Sequence, residues 1–200
     1  YGTPQDCYKG FSCSAGSFTP HGDYRCPPGF YCPAGVAVAC PVKYYCQGFG
    51  NFEAKICPPG TFSNVLGATN CTTCPIGFYC PNSGMNYTVT CNPGFVCDTE
   101  GLSTPRIRCP AGMYCYNQTS TANSTDYSTM FRPYPCPNGT FCVGGVVSNV
   151  SIANDFTTPQ PCLAGTFCEE GTSSPSGTAA CPVGYYCQAE VSAPKAAPAG

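Results

Sequence analysis

The chain has 200 residues, a formal net charge of −2, only 9% charged residues, and 20 Cys, 23 Gly and 22 Pro. An ordinary soluble domain carries about 25% charged residues; with so few here, no Trp and no long run of Leu, Ile or Val, one large apolar core is excluded. The weak charge gives no electrostatic reason for a nucleic-acid or anionic-lipid partner, and no apolar run approaches the ~20 residues that cross a bilayer.

Residues 1–56 hold three copies of a short motif, Cys-x-x-Gly-x-aromatic-Cys, bounded by Cys7/Cys13, Cys26/Cys32 and Cys40/Cys46. Residues 57–80 hold a longer unit, with Cys57 and its candidate partner Cys71, followed by the short copy Cys74/Cys80. Two more short copies, Cys91/Cys97 and Cys109/Cys115, occupy 81–115. An insertion rich in Ser, Thr, Asn and Pro, 116–135, precedes the copy at 136–142, Cys136/Cys142. A second such insertion, 143–161, precedes the last two copies in 162–187, Cys162/Cys168 and Cys181/Cys187. Both insertions read as surface loops. The Ala/Pro-rich residues 188–200 read as a linker or the start of a polyproline-type segment.

Motif starts recur about every 17 residues outside the insertions. Such self-similarity marks a repeat architecture, in which each unit contacts mainly its neighbours. The expected fold is therefore a small disulfide-rich repeat array, elongated like a rod, of coil and turns with two- or three-residue β-bridges and little or no helix. No apolar stripe of helical period survives the Pro and Gly density.

Local chemistry explains the motif. Pro follows the first Cys in seven copies (Pro27, Pro41, Pro58, Pro75, Pro110, Pro137 and Pro182), and Gly stands three residues after it in every copy except that of Lys43. Pro is expected at the second position of a turn, with Gly supplying a positive φ or a close approach. A six-step extended segment spans about 20 Å, whereas bridged Cα atoms lie about 5–6 Å apart. A self-closing pair thus needs a reversal, which Pro-x-Gly supplies. Tyr31, Tyr45, Phe62, Tyr79, Tyr114, Phe141, Phe167 and Tyr186 take the aromatic position, where Ser12 and Val96 depart from it. These rings are expected to cap a neighbouring disulfide or repeat.

An even Cys count at regular spacing points to oxidation and to a secreted or cell-surface setting. The chain starts at Tyr1 without Met, so a mature product or a fragment is expected, with targeting and anchoring segments absent. Connectivity stays open. One register closes each motif on itself, adds Cys57–Cys71, and uses all twenty cysteines. A shifted register, with Cys13–Cys26, Cys32–Cys40 and Cys46–Cys57, forces Cys71–Cys74 and strands Cys7 and Cys187.

Little of this resembles catalysis. Cys71-Thr-Thr-Cys74 has a zinc or redox spacing, but it lies within the repeat punctuation, and the chain has one His, His21. Glu169-Glu170 are adjacent carboxylates that an extended loop points apart. No nucleophile elbow or calcium-loop pattern occurs. No enzyme, metal or bound cofactor is expected.

Covalent sugar is expected instead. Six Asn-x-Ser/Thr triplets occur, at Asn70, Asn86, Asn117, Asn123, Asn138 and Asn149. Asn117, Asn123 and Asn149 lie in the insertions and Asn86 in an inter-motif loop, where a transferase reaches them. Asn70 and Asn138 are weaker acceptors: Cys71 follows the first, and a motif loop encloses the second. Thr119–Thr125, Thr157–Pro161 and the Ala/Pro tail are candidates for O-linked sugar or modified proline.

The stretch from Cys57 through Pro58-Pro59-Gly60-Thr61-Phe62 to Cys71-Thr72-Thr73-Cys74-Pro75-Ile76-Gly77-Phe78-Tyr79-Cys80 resembles the ephrin-receptor-like (GCC2/GCC3) cysteine-rich repeat. It is also similar to the first module of tumour-necrosis-factor-receptor repeats, which implies Cys57–Cys71. Tandem arrays of the shortened motif resemble large extracellular proteins of protists and algae, including the mastigoneme proteins of flagellar hairs. That resemblance implies a glycosylated filament subunit, with copies of itself and a proline-rich glycoprotein as partners. The expected function is a structural extracellular glycoprotein of a self-assembling filament or surface coat. The alternative is the ligand-binding stalk or ectodomain of a cell-surface receptor.

Overall fold

A computed structural model describes residues 6–22, 24–120, 132–148 and 157–198. Among them there is no helix, and ten two-stranded sheets form, each strand two residues long. The expected disulfide-rich repeat fold with short β-pairs is the fold observed.

Each repeat is built in the same three steps. The chain first reverses after the first Cys. The carbonyl of Pro27, Pro41, Pro58, Pro75, Pro110, Pro137 or Pro182 accepts a hydrogen bond of 3.1–3.2 Å from the N–H three residues on. Proline thus holds the first position of the turn and not the second, and glycine the third, with φ between 78° and 87°. A positive φ at that position is the type II geometry that glycine serves without strain.

The chain then runs through the aromatic position as a two-residue strand. That strand pairs with the two residues before the next motif: Phe30 faces Ala39 and Tyr31 faces Val38, and likewise Thr61 faces Thr73 and Phe62 faces Thr72. Finally the second Cys folds back onto the first. All ten bridges are present, Cys7–Cys13, Cys26–Cys32, Cys40–Cys46, Cys57–Cys71, Cys74–Cys80, Cys91–Cys97, Cys109–Cys115, Cys136–Cys142, Cys162–Cys168 and Cys181–Cys187. Their Cα atoms lie 5.7–6.2 Å apart, inside the range a bridge requires, and no Cys is free.

The chain divides into two units. The first comprises Tyr1–Cys74, Cys80–Val89 and Gly101–Thr104, the second Pro75–Tyr79, Thr90–Glu100 and Pro105–Gly200. In the first unit the Gly10, Gly29 and Gly60 N–H groups donate to the carbonyls of Cys32, Cys46 and Cys80, at 2.8–2.9 Å. In the second unit Gly77, Gly94, Gly112, Gly139 and Gly165 donate in the same way to Cys97, Cys115, Cys142, Cys168 and Cys187. The turn glycine therefore does two jobs: its φ makes the reversal, and its outward N–H holds the following repeat.

Two departures from the motif fit the same geometry. Lys43, which stands where the turn glycine belongs, adopts φ 77° and still donates to the Ser63 carbonyl at 2.8 Å. Ser63 occupies the seat of the second Cys in the Cys57 unit; it is buried, and its N–H donates to the Met85 carbonyl. The ladder is thus a property of the backbone, and the sulfur of that unit is supplied from Cys71. A lysine at positive φ costs about 1–2 kcal/mol, while glycine there loses about 0.5–1 kcal/mol more chain entropy. Lys43→Gly is therefore expected to stabilise the oxidised protein by about 0.5–1 kcal/mol, read as a raised denaturant midpoint at unchanged slope.

The Ala/Pro-rich tail is not a free linker up to residue 198. Tyr185 faces Ala196 and Tyr186 faces Lys195, and the Ala197 N–H donates to the Gly184 carbonyl at 3.0 Å. Cys181 makes the equivalent bond to Gly165. Ala197-Pro198-Ala199-Gly200 repeats Cys-Pro-x-Gly with Ala in place of Cys. The tail's composition resembles a linker, but the backbone of residues 195–197 is held by the preceding motif.

Candidate functional site

The repeated structural site is the seat of the disulfide. Cys26, Cys32, Cys40, Cys46, Cys136 and Cys142 are 0% exposed. Beside each bridge that has a following motif sits one residue from the segment after that motif. In the first unit Asn51, Ala68, Met85 and Leu102 offer their carbonyls to the N–H groups of Cys32, Cys46, Ser63 and Cys80. In the second unit Thr119, Val146, Thr172 and Val191 do the same for Cys97, Cys115, Cys142 and Cys168. Ala68, Met85, Leu102, Thr119 and Val146 are buried. Sequence reasoning missed this row. Its signal was the comb at 51, 68, 85, 102 and 119, evenly spaced but mixed in chemistry, so no single residue type marked it.

The rings do cap the next disulfide where the second unit shows the contact. Phe141 packs on Cys162 and Cys168, and Tyr114 packs against Cys136, Cys142 and Val146. Val96, at an aromatic position, fills the same slot: it is 0% exposed and packs on Cys109 and Cys115. At Ser12 the slot has no ring, and its hydroxyl donates to the Tyr24 carbonyl at 3.3 Å. His21 is exposed, yet its ring meets the edges of Tyr8 and Phe11 with centroids at 4.9 and 5.4 Å.

Four cysteines are not fully covered: Cys7, Cys13, Cys71 and Cys181 keep partial exposure. Reduction needs a thiolate to reach a sulfur in line. Mild reduction followed by alkylation is therefore expected to label Cys7–Cys13, Cys57–Cys71 and Cys181–Cys187 first. Peptide mapping at increasing reductant checks the order, with Cys26–Cys32 and Cys136–Cys142 among the last.

Other sequence candidates are dispersed. Cys71 and Cys74 belong to different bridges. Glu169 and Glu170 are exposed and border an open, hydroxyl-lined cleft with Thr172, Ser173, Ser174 and Thr178. Among the described residues no three His, Cys, Asp or Glu side chains gather as a metal site, and no helix is long and apolar enough to cross a membrane.

Of the sugar acceptors, Asn70, Asn117 and Asn138 are exposed and Asn86 is half-buried. Asn123 and Asn149 lie outside the described residues. The hydroxyl partner at Asn117 is Thr119, which is 1% exposed and donates to the Tyr116 carbonyl at 2.9 Å. The Asn138 partner, Thr140, donates to the Pro137 carbonyl at 2.7 Å within the turn. Of the threonines considered for O-linked sugar, Thr119 and Thr158 are buried. Tyr114, Tyr116 and Tyr134 form a cluster at the neck of the first insertion; of the three, only Tyr114 is a motif position. Burial, then the neighbouring Tyr116 phenol, pushes the Tyr114 phenol above its ordinary value of 10.0.

Compared with known proteins, the chain matches no family model and no curated relative.

Proposed function

We propose that the chain is a structural extracellular glycoprotein, a subunit of a self-assembling filament or surface coat of the flagellar-hair type. The observation that carries this reading is where the motif residues are spent. Cysteine, turn glycine and aromatic position are consumed in holding one repeat to the next, so the repeated sequence encodes a scaffold and not a reaction centre. What remains outward is hydroxyl and amide side chains, together with apolar groups such as Phe18, Phe49 and Leu66, exposed by 98%, 69% and 71%. Such groups favour contact with further copies of the chain, in a head-to-tail arrangement that need not close, or with a proline-rich glycoprotein. Ten disulfides agree with an oxidising compartment, and extracellular placement is the finer reading proposed here. The likeness of the Cys57–Cys80 stretch to ephrin-receptor-like repeats points the same way.

Sugar is the second part of the reading. Hydrated glycans on Asn86, Asn117, Asn123 and Asn149 keep so weakly charged a chain in solution. In the folded chain the Thr119 hydroxyl is out of reach, so a sugar at Asn117 is attached before its repeat closes. Intact mass before and after glycosidase treatment reads this directly; an unchanged mass removes the glycoprotein part. Negative-stain microscopy of native material tests assembly. Long particles are expected, and a uniform population of single subunits instead favours the receptor-ectodomain alternative.

A further inference from the structure

Three phenol rings meet where the first insertion leaves and rejoins the repeat. Tyr114 and Tyr134 are partners across the hairpin that closes its neck, their rings stacked at 18° with centroids 5.5 Å apart. Tyr116 lies edge-on to both, 5.3 Å from Tyr114 and 5.9 Å from Tyr134. Arg132 covers Tyr134, its guanidinium carbon 5.4 Å from the ring centroid. No cysteine lies between Cys115 and Cys136, so this neck, unlike the motifs around it, has no sulfur closure of its own.

Ring orientation decides which pair can react. The stacked rings of Tyr114 and Tyr134 present faces to each other, and a bond between ring carbons needs their edges. Tyr116 is inclined at 62° to Tyr134 and is 43% exposed, so an oxidant reaches it and a small χ adjustment brings the two edges together. Tyr114 packs against Cys136, Cys142 and Val146, which keeps its ring from turning an edge towards Tyr116.

We propose that Tyr116 and Tyr134 are an oxidative cross-linking site, joined by a carbon–carbon bond between the ring carbons ortho to their hydroxyls. The oxidant is hydrogen peroxide acting through a haem peroxidase. Each phenol gives up one electron and one proton, and the two phenoxyl radicals couple at their ortho carbons. The two ortho hydrogens return through solvent to the oxygens, restoring both phenols. Two electrons and two protons leave in total, and they reduce one peroxide to two waters. The product closes the insertion at its base, doing there what a bridge does in each motif.

The experiment treats the intact, disulfide-bonded protein with a haem peroxidase and hydrogen peroxide and isolates the monomer under denaturing conditions. The expected monomer has lost two hydrogens in mass, shows dityrosine fluorescence, and yields one linked peptide joining Tyr116 to Tyr134. Tyr116→Phe and Tyr134→Phe each abolish that peptide. Tyr116→Phe changes an exposed side chain and leaves the oxidised fold intact by near-ultraviolet dichroism. A link mapped to Tyr114, dityrosine confined to covalent dimers, a monomer of unchanged mass, or a signal persisting in either variant would overturn the proposal. Assembly plays no part in this readout, so the result stands apart from the filament reading.

Discussion

Replacing both Cys136 and Cys142 by serine is expected to lower the stability of the second unit by about 4–6 kcal/mol. The bridge closes a short loop, with a sequence separation of 6, and in the chain-entropy model such a loop contributes about 2 kcal/mol. The remainder comes from the interior. Both cysteines are 0% exposed and pack with Val146 and Tyr114. Serine would bury two hydroxyls there, each costing about 1–2 kcal/mol without a partner. A loss of that size is comparable to the whole stability of many domains. The control is the same double change at Cys7 and Cys13, which are partly exposed. There only the loop term is lost, so the effect should fall to about 2 kcal/mol. Chemical denaturation of both variants, with the other bridges kept oxidised, measures the difference. Equal losses at the two sites would show that burial of the sulfurs adds nothing.

Gly94→Ala is the second large effect expected. Gly94 has φ 78°, its N–H donates to Cys115 at 2.9 Å, and its carbonyl accepts from Cys109 at 2.8 Å. A Cβ there would lie 2.5 Å from the Gly145 carbonyl oxygen and 2.9 Å from Cγ1 of Val147. The oxygen belongs to backbone that is itself bonded, Gly145 N–H to the Cys109 carbonyl at 2.9 Å, so it cannot retreat without breaking the ladder. Strain at positive φ costs about 1–2 kcal/mol, and the overlap raises the total to about 3 kcal/mol or more. Gly165→Ala separates the two causes. It has φ 87° with nothing within 4 Å of the added carbon, so only the strain of about 1–2 kcal/mol remains. If the two variants were equally destabilised, glycine would be required for its φ alone, and the close approach of repeats would not be a constraint.

Much of this was legible because cysteine and glycine are chemically unambiguous. The self-closing register is the one the structure contains, and the short β-pairs follow from Pro-x-Gly reversals placed before an aromatic residue. The turn was legible only in part: its residues were clear, but proline's place at its first position depends on which carbonyl the chain bends back to. Lys43, Gln118 and Glu190 show why more was hidden. All three have positive φ, at 77°, 67° and 67°, and the last two share with Gly50, Gly67, Gly84 and Gly101 the task of donating to a first-Cys carbonyl. A backbone role that several residue types can fill leaves no composition signal. The pairing of Lys195 and Ala196 is hidden for the opposite reason, since Ala and Pro give a strong signal while the ladder uses only their backbone. The tyrosine cluster brings Tyr116 and Tyr134 together across an eighteen-residue span, which no local pattern reveals.

Amide hydrogen exchange of the oxidised and the fully reduced protein, at neutral pH without denaturant, tests most directly whether covalent bridges stand in for an apolar core. In the oxidised protein the N–H groups of Gly29, Gly94, Gly112 and Gly139, all bonded to the next repeat, should be protected. Once all twenty thiols are free, these amides should exchange as fast as in an unfolded chain. Protection that survived complete reduction would contradict the account, because the ladder would then be standing without its sulfur.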